Sequence, residues 1–284
     1  MSNYNNQYNP RETNTSWSLA EKYIKENAII LEIGAGNGNF AEAMSVRRNC
    51  QVEIIEPDTS DAVLAKSKVK RVFNDTLENV IDKLQEHRYD HVVLLDVIEH
   101  VKDPVEALTK IRRVLKKEGS VIFSMPNMAH MSVRLMLLSG TFSYGKTGLL
   151  DGTHLHFYTK SEINRVFIEA GYVIESLDGV TEDIEDSVIL NELAKIGIKK
   201  SDTLLKSFRE NDGVIYQYIG KAKPSSRKLK TEKLPECSPN VGDMRKDYYQ
   251  AENERLLKVI ADKDEVIISL QDKKSGFLHR LRNK

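Results

Sequence analysis

Apolar positions along the chain fall into short runs that alternate with segments of helical period. Seven runs predict β-strands, at residues 28–33, 51–55, 71–73, 91–95, 120–124, 172–177 and 214–219. Amphipathic segments, such as residues 105–115, lie between several of them. Strands that alternate with helices pair in parallel and carry helices on both faces of the sheet. The pattern therefore predicts an α/β fold.

Residue types that favour helix ends mark three helix starts and one helix end. The starts are Ser18 with Glu21, Asp103 with Glu106, and Thr159 with Glu162, each pair having capping-box spacing. Pro104 follows Asp103 at the first helical position, where its missing N–H costs nothing. Gly171 suits the position that closes the helix after Thr159.

Composition divides the chain into four parts. Residues 1–15 are polar and predict a flexible arm, and residues 16–220 form the α/β domain. Two inserts in this domain, 126–158 and 181–212, are expected to make a lid over an acceptor. Three prolines and the lack of an apolar period indicate a linker over 221–247. Residues 248–284 predict a helix with a basic end.

The last segment has a and d positions of about three heptads, namely Tyr249, Asn253, Leu256, Ile260, Lys263, Ile267 and Leu270. This spacing favours a coiled coil over 248–272 that could self-associate. A helix packed back on the domain, or a frayed tail, is the alternative. Residues 273–284 carry five basic and no acidic side chains. That end either contacts an anionic membrane surface peripherally or is solvated.

Charge and composition narrow the function classes. The 284 residues hold 42 Lys or Arg and 42 Asp or Glu, and residues 221–284 carry 16 basic against 10 acidic side chains. The domain before them is therefore net acidic, which argues against nucleic acid as a partner. Cys50 and Cys237 make neither a disulfide framework nor a zinc motif. With no apolar leader and no run of 18 apolar residues, we expect a cytoplasmic protein.

A glycine-rich loop follows the first strand in the sequence Leu-Glu-Ile-Gly-Ala-Gly-Asn-Gly-Asn-Phe. Gly34, Gly36 and Gly38 let the backbone approach a ligand where a Cβ would intrude. Asn39 stands where a dinucleotide fingerprint needs glycine, and no Gly-Lys-Ser/Thr run exists for a phosphate-binding P-loop. Glu32, two residues before the loop, would accept from an ammonium group rather than tolerate a pyrophosphate.

Two more acids end the next two strands. Glu56 ends the second, where a carboxylate suits the hydroxyls of a ribose. Asp75 follows the third, where it would contact an exocyclic amine or an adenine edge. Each acid alone would be an ordinary solvated strand end, but together with the glycine loop they lie at the edge where open α/β sheets bind ligands.

These motifs resemble the class I S-adenosylmethionine-dependent methyltransferases over roughly residues 15–220. The resemblance implies a seven-stranded Rossmann-like sheet with an antiparallel last pair and S-adenosyl-L-methionine as cofactor. It also implies that the glycine loop and Glu32 hold the methionine end of the cofactor, Glu56 the ribose and Asp75 the adenine. Asp96 is a further candidate cofactor-binding residue.

The fourth predicted strand leads into Asp96-Val97-Ile98-Glu99-His100. Methyltransferases that act on nucleobase or glutamine amino groups carry an Asp/Asn-Pro-Pro-Tyr motif here, which this chain lacks, so an oxygen acceptor is favoured. His100 is a candidate general base because its ordinary pKa lies near neutrality. Glu99, His154 and His156 are further candidate catalytic residues.

The spacing of Asp96, Glu99 and His100 is similar to an element that binds a divalent ion in ubiquinone-pathway and small-RNA 2′-O-methyltransferases. The resemblance implies a possible Mg²⁺ site at Asp96, Glu99, His100 and His156. A base or acceptor contact without metal, and a purely structural role, are the alternatives.

In the insert 126–158, apolar residues at helical spacing (Met128, Met131, Leu135 and Leu138) predict packing within a lid, with a hydrophobic substrate box as the alternative. Glycines 140, 145, 148 and 152 indicate a mobile cover. The order of the pieces resembles methyltransferases of bacterial surface-polysaccharide pathways. That implies an O-methyltransferase for a sugar or glycan hydroxyl, and a glycosyltransferase partner at 248–272. A phenol or carboxylate small molecule as acceptor, and a non-catalytic scaffold, are the competing hypotheses.

Overall fold

The computed structural model describes residues 8–227 and 233–239. Within them one sheet has the strands β1 (Ile29–Ile33), β2 (Gln51–Ile55), β3 (Arg71–Phe73), β4 (Tyr89–Leu95), β5 (Leu115–Pro126), β6 (Tyr172–Thr181), β7 (Ile215–Pro224) and β8 (Ser238–Pro239). Their order across the sheet is β3-β2-β1-β4-β5-β7-β6-β8. Strands β1 to β5 are parallel, and β7 runs antiparallel to both β5 and β6. The predicted seven-stranded sheet is confirmed, with the two-residue β8 added beside β6.

The helices of the same residues are α1 (Ser16–Glu21), α2 (Asn39–Arg47), α3 (Thr59–Ala65), α4 (Leu77–Val80), α5 (Pro104–Val114), α6 (Met131–Leu138), α7 (Lys160–Glu169), α8 (Asp186–Lys195) and α9 (Asp202–Arg209). Single 3₁₀ turns follow α4 at Ile81–Lys83 and β4 at Ile98–His100. The insert 181–212 contains the two helices α8 and α9.

Alternate residues of the strands face two separate apolar cores. Leu31 of β1 packs in the core that holds Leu108 of α5, whereas its neighbour Ile30 packs in the core that holds Phe40 of α2. Side chains of a strand alternate between its faces, so both faces must be covered by helices. The prediction of helices on both faces is confirmed.

A third cluster holds the inserts together. Met131 and Leu135 of α6 are buried against Ile189 of α8 and Leu205 of α9. These two apolar positions therefore pack within the inserts. That the inserts form a lid over an acceptor stays a prediction. Leu138, at the end of α6, is instead 51% exposed.

Some predicted boundaries differ from the structure. Helix α1 begins at Ser16 with a capping box of Thr15 and Ser18, so the predicted pair of Ser18 and Glu21 is wrong. Thr159 precedes α7 without a side-chain capping bond, and Glu162 pairs with Arg165. At both helix starts several hydroxyl side chains lie close together in sequence, and residue spacing alone does not select the one that caps the helix.

Other helix ends agree with the sequence. The Asp103 side chain accepts from the backbone N–H of Glu106 at 2.9 Å, with Pro104 opening α5. Gly171 takes φ +80° just after α7. Strand β5 starts at Leu115, earlier than predicted, because Leu115 pairs with Tyr89 before an irregularity in the ladder.

The predicted arm and the predicted linker both contain residues that bond to the sheet. Asn14, in the predicted arm 1–15, is buried and bonds through its side chain to the backbone of Thr181 in both directions, at 2.9 and 3.0 Å. Strand β7 continues to Pro224 and β8 lies at Ser238–Pro239, both within the predicted linker 221–247. The helix and coiled coil predicted for 248–284 lie outside the described residues. Among those that are described, no helix combines the length and apolarity needed to span a bilayer.

Candidate active site

The carboxyl ends of β1, β2 and β4 lie side by side. Ile33, which ends β1, pairs with Ile55 of β2 on one side and Leu94 of β4 on the other. The glycine loop, Glu56 and the segment from Asp96 to His100 follow these strands directly, so the fold brings the three motifs to one edge of the sheet.

The glycine loop needs left-handed backbone at all three glycines, with φ of +68°, +53° and +76° at Gly34, Gly36 and Gly38. A Cβ at Gly34 would lie 2.7 Å from Val97 Cγ2, and one at Gly38 would lie 3.0 Å from the Cβ of Ala65. A Cβ at Gly36 would meet no described atom within 4 Å. The loop is therefore packed at both ends and open in the middle, which is the shape of a ligand cradle.

Glu56 closes one side of this cradle. Its Oε2 accepts from the Gly36 N–H at 2.6 Å and its Oε1 from the Asp58 N–H at 2.8 Å. Burial raises the pKa of the Glu56 carboxyl, and the two backbone donors oppose that rise. Glu56 thus links the end of β2 to the glycine loop while each oxygen keeps a lone pair for a further donor.

Glu32 lies beneath the loop. The side chain is buried, and its Oε2 has no hydrogen-bond partner among the residues described. Burial first, and the charge of Glu56 second, raise the pKa of Glu32 to about 8. A buried acceptor left without a partner beside an open cradle suits a ligand that brings a cationic or N–H donor.

Asp75 and Asp96 occupy more accessible positions. Asp75 Oδ1 accepts from the Thr76 N–H and from Asn79 Nδ2, both at 2.8 Å, and these bonds, led by Asn79, lower its pKa. Asp96 has φ +57°, and its Oδ1 accepts from Ser124 Oγ at 3.0 Å and from Gln217. Both aspartates lie where predicted, at the ends of β3 and β4.

Glu99 is buried in the turn after β4. Its backbone carbonyl accepts from the N–H groups of Leu155 and His156, at 2.9 and 3.1 Å, which fastens the insert to this turn. Its side-chain Oε2 has no described hydrogen-bond partner. Burial, followed by the charge of Asp96, raises the pKa of Glu99 well above its ordinary value.

His100 and His154 stand together beside Glu99. Their ring centroids are 4.8 Å apart, and one ligand atom from each of the three residues lies within 4.8 Å of the others. His100 Nδ1 faces the Thr153 carbonyl at 3.1 Å, and His154 Nδ1 faces that of Leu149 at 3.2 Å. Because a carbonyl only accepts, the Nδ1 of each ring carries a proton, and Nε2 is the nitrogen that faces no carbonyl.

The comparisons with known proteins bear on this site. A family model described as a methyltransferase domain, Methyltransf_23, matches residues 7–177. The chain belongs to this family. The predicted S-adenosylmethionine-dependent methyltransferase domain, with S-adenosyl-L-methionine as its cofactor, is thereby confirmed. The cradle and the Glu32 Oε2 atom, which has no partner among the described residues, fit such a ligand.

Curated relatives of the methyltransferase domain include two named ubiquinone biosynthesis O-methyltransferase. The one from Alkalilimnicola ehrlichii is 34% identical over 166 residues, 55% of this chain. The one from Nitrosospira multiformis is 28% identical over 161 residues, 54% of this chain. In both cases the match covers 65% of the relative, somewhat less than two thirds of its length.

Solved structures agree on the fold of the methyltransferase domain. A methyltransferase from Archaeoglobus fulgidus has a TM-score of 0.51 at 18% identity, with 73% of this chain and 92% of that chain covered. One from Thermotoga maritima has a TM-score of 0.51 at 19% identity, covering 73% and 86%. The names of the curated relatives do not support the narrower resemblance to polysaccharide-pathway enzymes.

The structure groups two of the four predicted metal ligands, Glu99 and His100. In the described part of the chain, the group that could hold an ion consists of Glu99, His100 and His154. His156, predicted as a ligand, instead directs Nε2 toward the Lys102 carbonyl at 3.4 Å. Asp96 is outside the group as well. The segment from 153 to 158 turns at Leu155 to meet Glu99, and this turn brings His154 rather than His156 to the site.

Sequence reasoning missed two buried residues near this group. Asp151 Oδ1 accepts from the Thr153 N–H and hydroxyl, at 2.8 and 2.7 Å, and so shapes the turn that presents His154. Tyr158 is buried, and its hydroxyl has no hydrogen-bond partner among the described residues. The Asp-Gly-Thr turn sequence was an available signal for Asp151, whereas nothing local marks Tyr158.

Proposed function

We propose that this chain is an S-adenosylmethionine-dependent O-methyltransferase whose acceptor is a small molecule with a phenolic hydroxyl. The observation that carries the proposal is the grouping of Glu99, His100 and His154 beside the glycine cradle. The names of the two ubiquinone biosynthesis O-methyltransferases support an oxygen acceptor of this kind. The missing Asp-Pro-Pro-Tyr motif supports it independently.

Binding of the cofactor would use the residues predicted from the motifs. When bound, S-adenosylmethionine supplies an electrophilic methyl group on a sulfonium. Glu32 would accept from its amino group, and Glu56 would use its remaining lone pairs for the ribose hydroxyls. Asp75 would lie beside the adenine. Because Gly36 has no side chain, the cofactor could come close to the backbone of the loop.

His100 would take the proton of the acceptor. Its Nδ1 is held by the Thr153 carbonyl, which fixes the ring and leaves Nε2 as the basic atom. A phenol with a pKa near 10 gives up its proton to an imidazole far more readily than an alcohol does. The predicted sugar or glycan hydroxyl is therefore a poorer match for this base, and the curated relatives do not favour it.

A divalent ion would have Glu99 and the Nε2 atoms of His100 and His154 as its donors, and it would lower the pKa of an acceptor hydroxyl. Two imidazoles with one carboxylate suit Zn²⁺ or Fe²⁺ better than the predicted Mg²⁺, which prefers oxygen ligands. The His100 and His154 rings are already oriented through their Nδ1 atoms by carbonyls, as metal-binding histidines are.

The test combines binding and turnover. Calorimetric titration with S-adenosylhomocysteine should show micromolar binding, and methyl transfer to catechol should be detectable by mass spectrometry. Catechol is used because it presents two adjacent phenolic oxygens to the group at Glu99. Binding without transfer to catechol or other phenols would overturn the acceptor class. If S-adenosylhomocysteine did not bind, the assignment as an enzyme would be overturned. The scaffold hypothesis, with 248–272 as the partner-binding segment, would then be favoured.

A further inference from the structure

Three aromatic side chains of the insert 126–158 are exposed together. Phe142 is 39%, Tyr144 62% and Phe157 36% accessible. Phe142 stands edge-on to both others, with ring centroids 5.5 Å from Tyr144 and 5.8 Å from Phe157 and interplanar angles of 86° and 89°. Tyr144 and Phe157 are 6.3 Å apart and tilted by only 34°. We call these three residues the aromatic platform.

The platform is continuous with the candidate active site. Phe157 is 6.3 Å from His154 between ring centroids, and His154 is 4.8 Å from His100. An unbroken series of ring contacts thus leads from His100 out to Tyr144. A molecule whose reacting oxygen lies at His100 would extend over Phe157 if it continued in this direction.

The backbone near the platform is fastened, so the exposure of the rings does not come from a loose loop. The Gly145 N–H donates to the Leu150 carbonyl at 2.8 Å, and the Gly152 N–H donates to the Gly145 carbonyl at 3.0 Å. Leu149 and Leu150 are buried, each 6% exposed. The three rings belong to none of the core clusters found in the described residues. Clustered apolar rings held at a surface indicate a binding site.

We propose that the aromatic platform binds the ring of the methyl acceptor, which is a planar aromatic ring carrying the methylated hydroxyl. This inference rests on the proposed function and deepens it by assigning the acceptor subsite to Phe142, Tyr144 and Phe157. Aromatic rings pair through offset or edge-to-face contacts, so a planar ring continues the arrangement that the platform already shows. A saturated ring of the same size lacks the faces and edges for these contacts.

The experiment measures binding of two probes, catechol and cis-cyclohexane-1,2-diol, to the full chain saturated with S-adenosylhomocysteine. Catechol should bind more tightly than the saturated diol. Tyr144→Leu and Phe157→Leu, which keep apolar bulk but remove a ring, should each weaken catechol binding about two- to tenfold. Tyr144→Phe keeps the ring and should bind as the parent does. Val46→Ala, at a position 79% exposed on α2, is the matched remote control.

Several results would overturn the inference. Equal affinity of the leucine variants and the parent for catechol would do so, as would equal binding of both probes or no catechol binding at millimolar concentration. Binding to phosphatidylglycerol vesicles that the leucine variants lose, while their catechol affinity stays at the parent value, would identify a lipid surface instead. An unchanged affinity for S-adenosylhomocysteine shows that each variant is folded. Methyl transfer to phenols by the parent chain reports separately on the proposed function.

Discussion

The carboxylate of Glu56 accepts a hydrogen bond from the backbone N–H of Gly36 over 2.6 Å, and this bond joins the end of β2 to the loop after β1. The same carboxylate holds the N–H of Asp58 with its other oxygen. Glu56 therefore has two tasks in the proposed site. It would contact the ribose, and it fixes the middle of the glycine loop before any ligand arrives.

Replacing Glu56 by alanine should weaken S-adenosylhomocysteine binding by about 10- to 100-fold, since a charge-assisted hydrogen bond is worth about 1.5–3 kcal/mol. Glu56→Gln should lose nearly as much affinity for S-adenosylhomocysteine, because the amide nitrogen of glutamine cannot accept a hydrogen bond from a backbone N–H. Calorimetric titration measures both. Glu118→Gln, whose side chain is 76% exposed, is the control and should bind normally. Normal affinity in Glu56→Ala would place the ribose elsewhere.

Binding of S-adenosylhomocysteine should release a proton at neutral pH. Glu32 has a pKa of about 8 before binding, so it is protonated at pH 7, and an ammonium partner would favour its carboxylate. Affinity should rise with pH up to about pH 8, by at most tenfold per pH unit. Titrations in buffers of different ionisation enthalpy measure the released proton. Glu32→Gln should abolish the release; a release that persists in this variant would assign it to another group.

Gly34 and Gly36 should respond differently to alanine. The left-handed φ costs about 1–2 kcal/mol at each, but only at Gly34 does the new Cβ also meet Val97, at 2.7 Å. Gly34→Ala should therefore lower the melting temperature more than Gly36→Ala does. Gly36→Ala should instead lose most affinity for S-adenosylhomocysteine, because its Cβ points into the open cradle. Equal melting temperatures for the two variants would contradict the contact with Val97.

His154 and His156 form a matched pair for testing the candidate metal group. His154→Ala should remove Zn²⁺ binding measured by equilibrium dialysis, whereas His156→Ala should retain it, because His156 faces the Lys102 carbonyl instead. His100→Ala should lower kcat with little change in cofactor affinity. If the parent chain binds no Zn²⁺ and turnover survives chelation, His100 acts as a base without metal. Loss of Zn²⁺ binding in His156→Ala alone would restore the ligand set predicted from the sequence.

His91 should make the domain less stable in acid. The ring is buried, its Nε2 accepts from the Lys25 N–H at 3.3 Å, and burial lowers its pKa to about 4. In the unfolded chain the His91 imidazole has its ordinary pKa of about 6.5. The contribution of neutral His91 to the free energy of unfolding is therefore complete above that pH, and it falls by about 1.4 kcal/mol per pH unit as the pH is lowered toward 4. Urea unfolding at pH 7.5, 6.5 and 5.5 measures this. The stability advantage over His91→Gln should shrink with falling pH; a constant difference would show that His91 does not titrate.

Much of the cofactor side could be predicted from the sequence because its residues are tied to strand ends. Glu32, Gly34, Glu56 and Asp75 each lie within a few residues of a strand that local apolar patterning already marks. Parallel strands bring their carboxyl ends to one edge, so the positions of these motifs follow from the fold class alone. The positions of Asp96 and Glu99 at this edge could be predicted in the same way, because they follow β4.

The acceptor side could not be predicted in the same way. His154 and His156 are the same residue type two positions apart. The turn at Asp151 and the hydrogen bonds of the following backbone to the Glu99 carbonyl place His154 against His100. Both histidines are far from Glu99 in sequence, and no periodicity or spacing of residues predicts that His154 contacts this group.

By itself, then, the sequence determined the sheet, the helices on both faces, the glycine loop and the acids that follow the strands, since these depend on periodicity and residue type. Tertiary structure alone decided the grouping of His154 with Glu99 and His100, the buried Tyr158 and the ring contacts from His100 to Tyr144. Those features arise where an insert folds back over the sheet edge. Its course depends on packing and on backbone hydrogen bonds between segments about 50 residues apart.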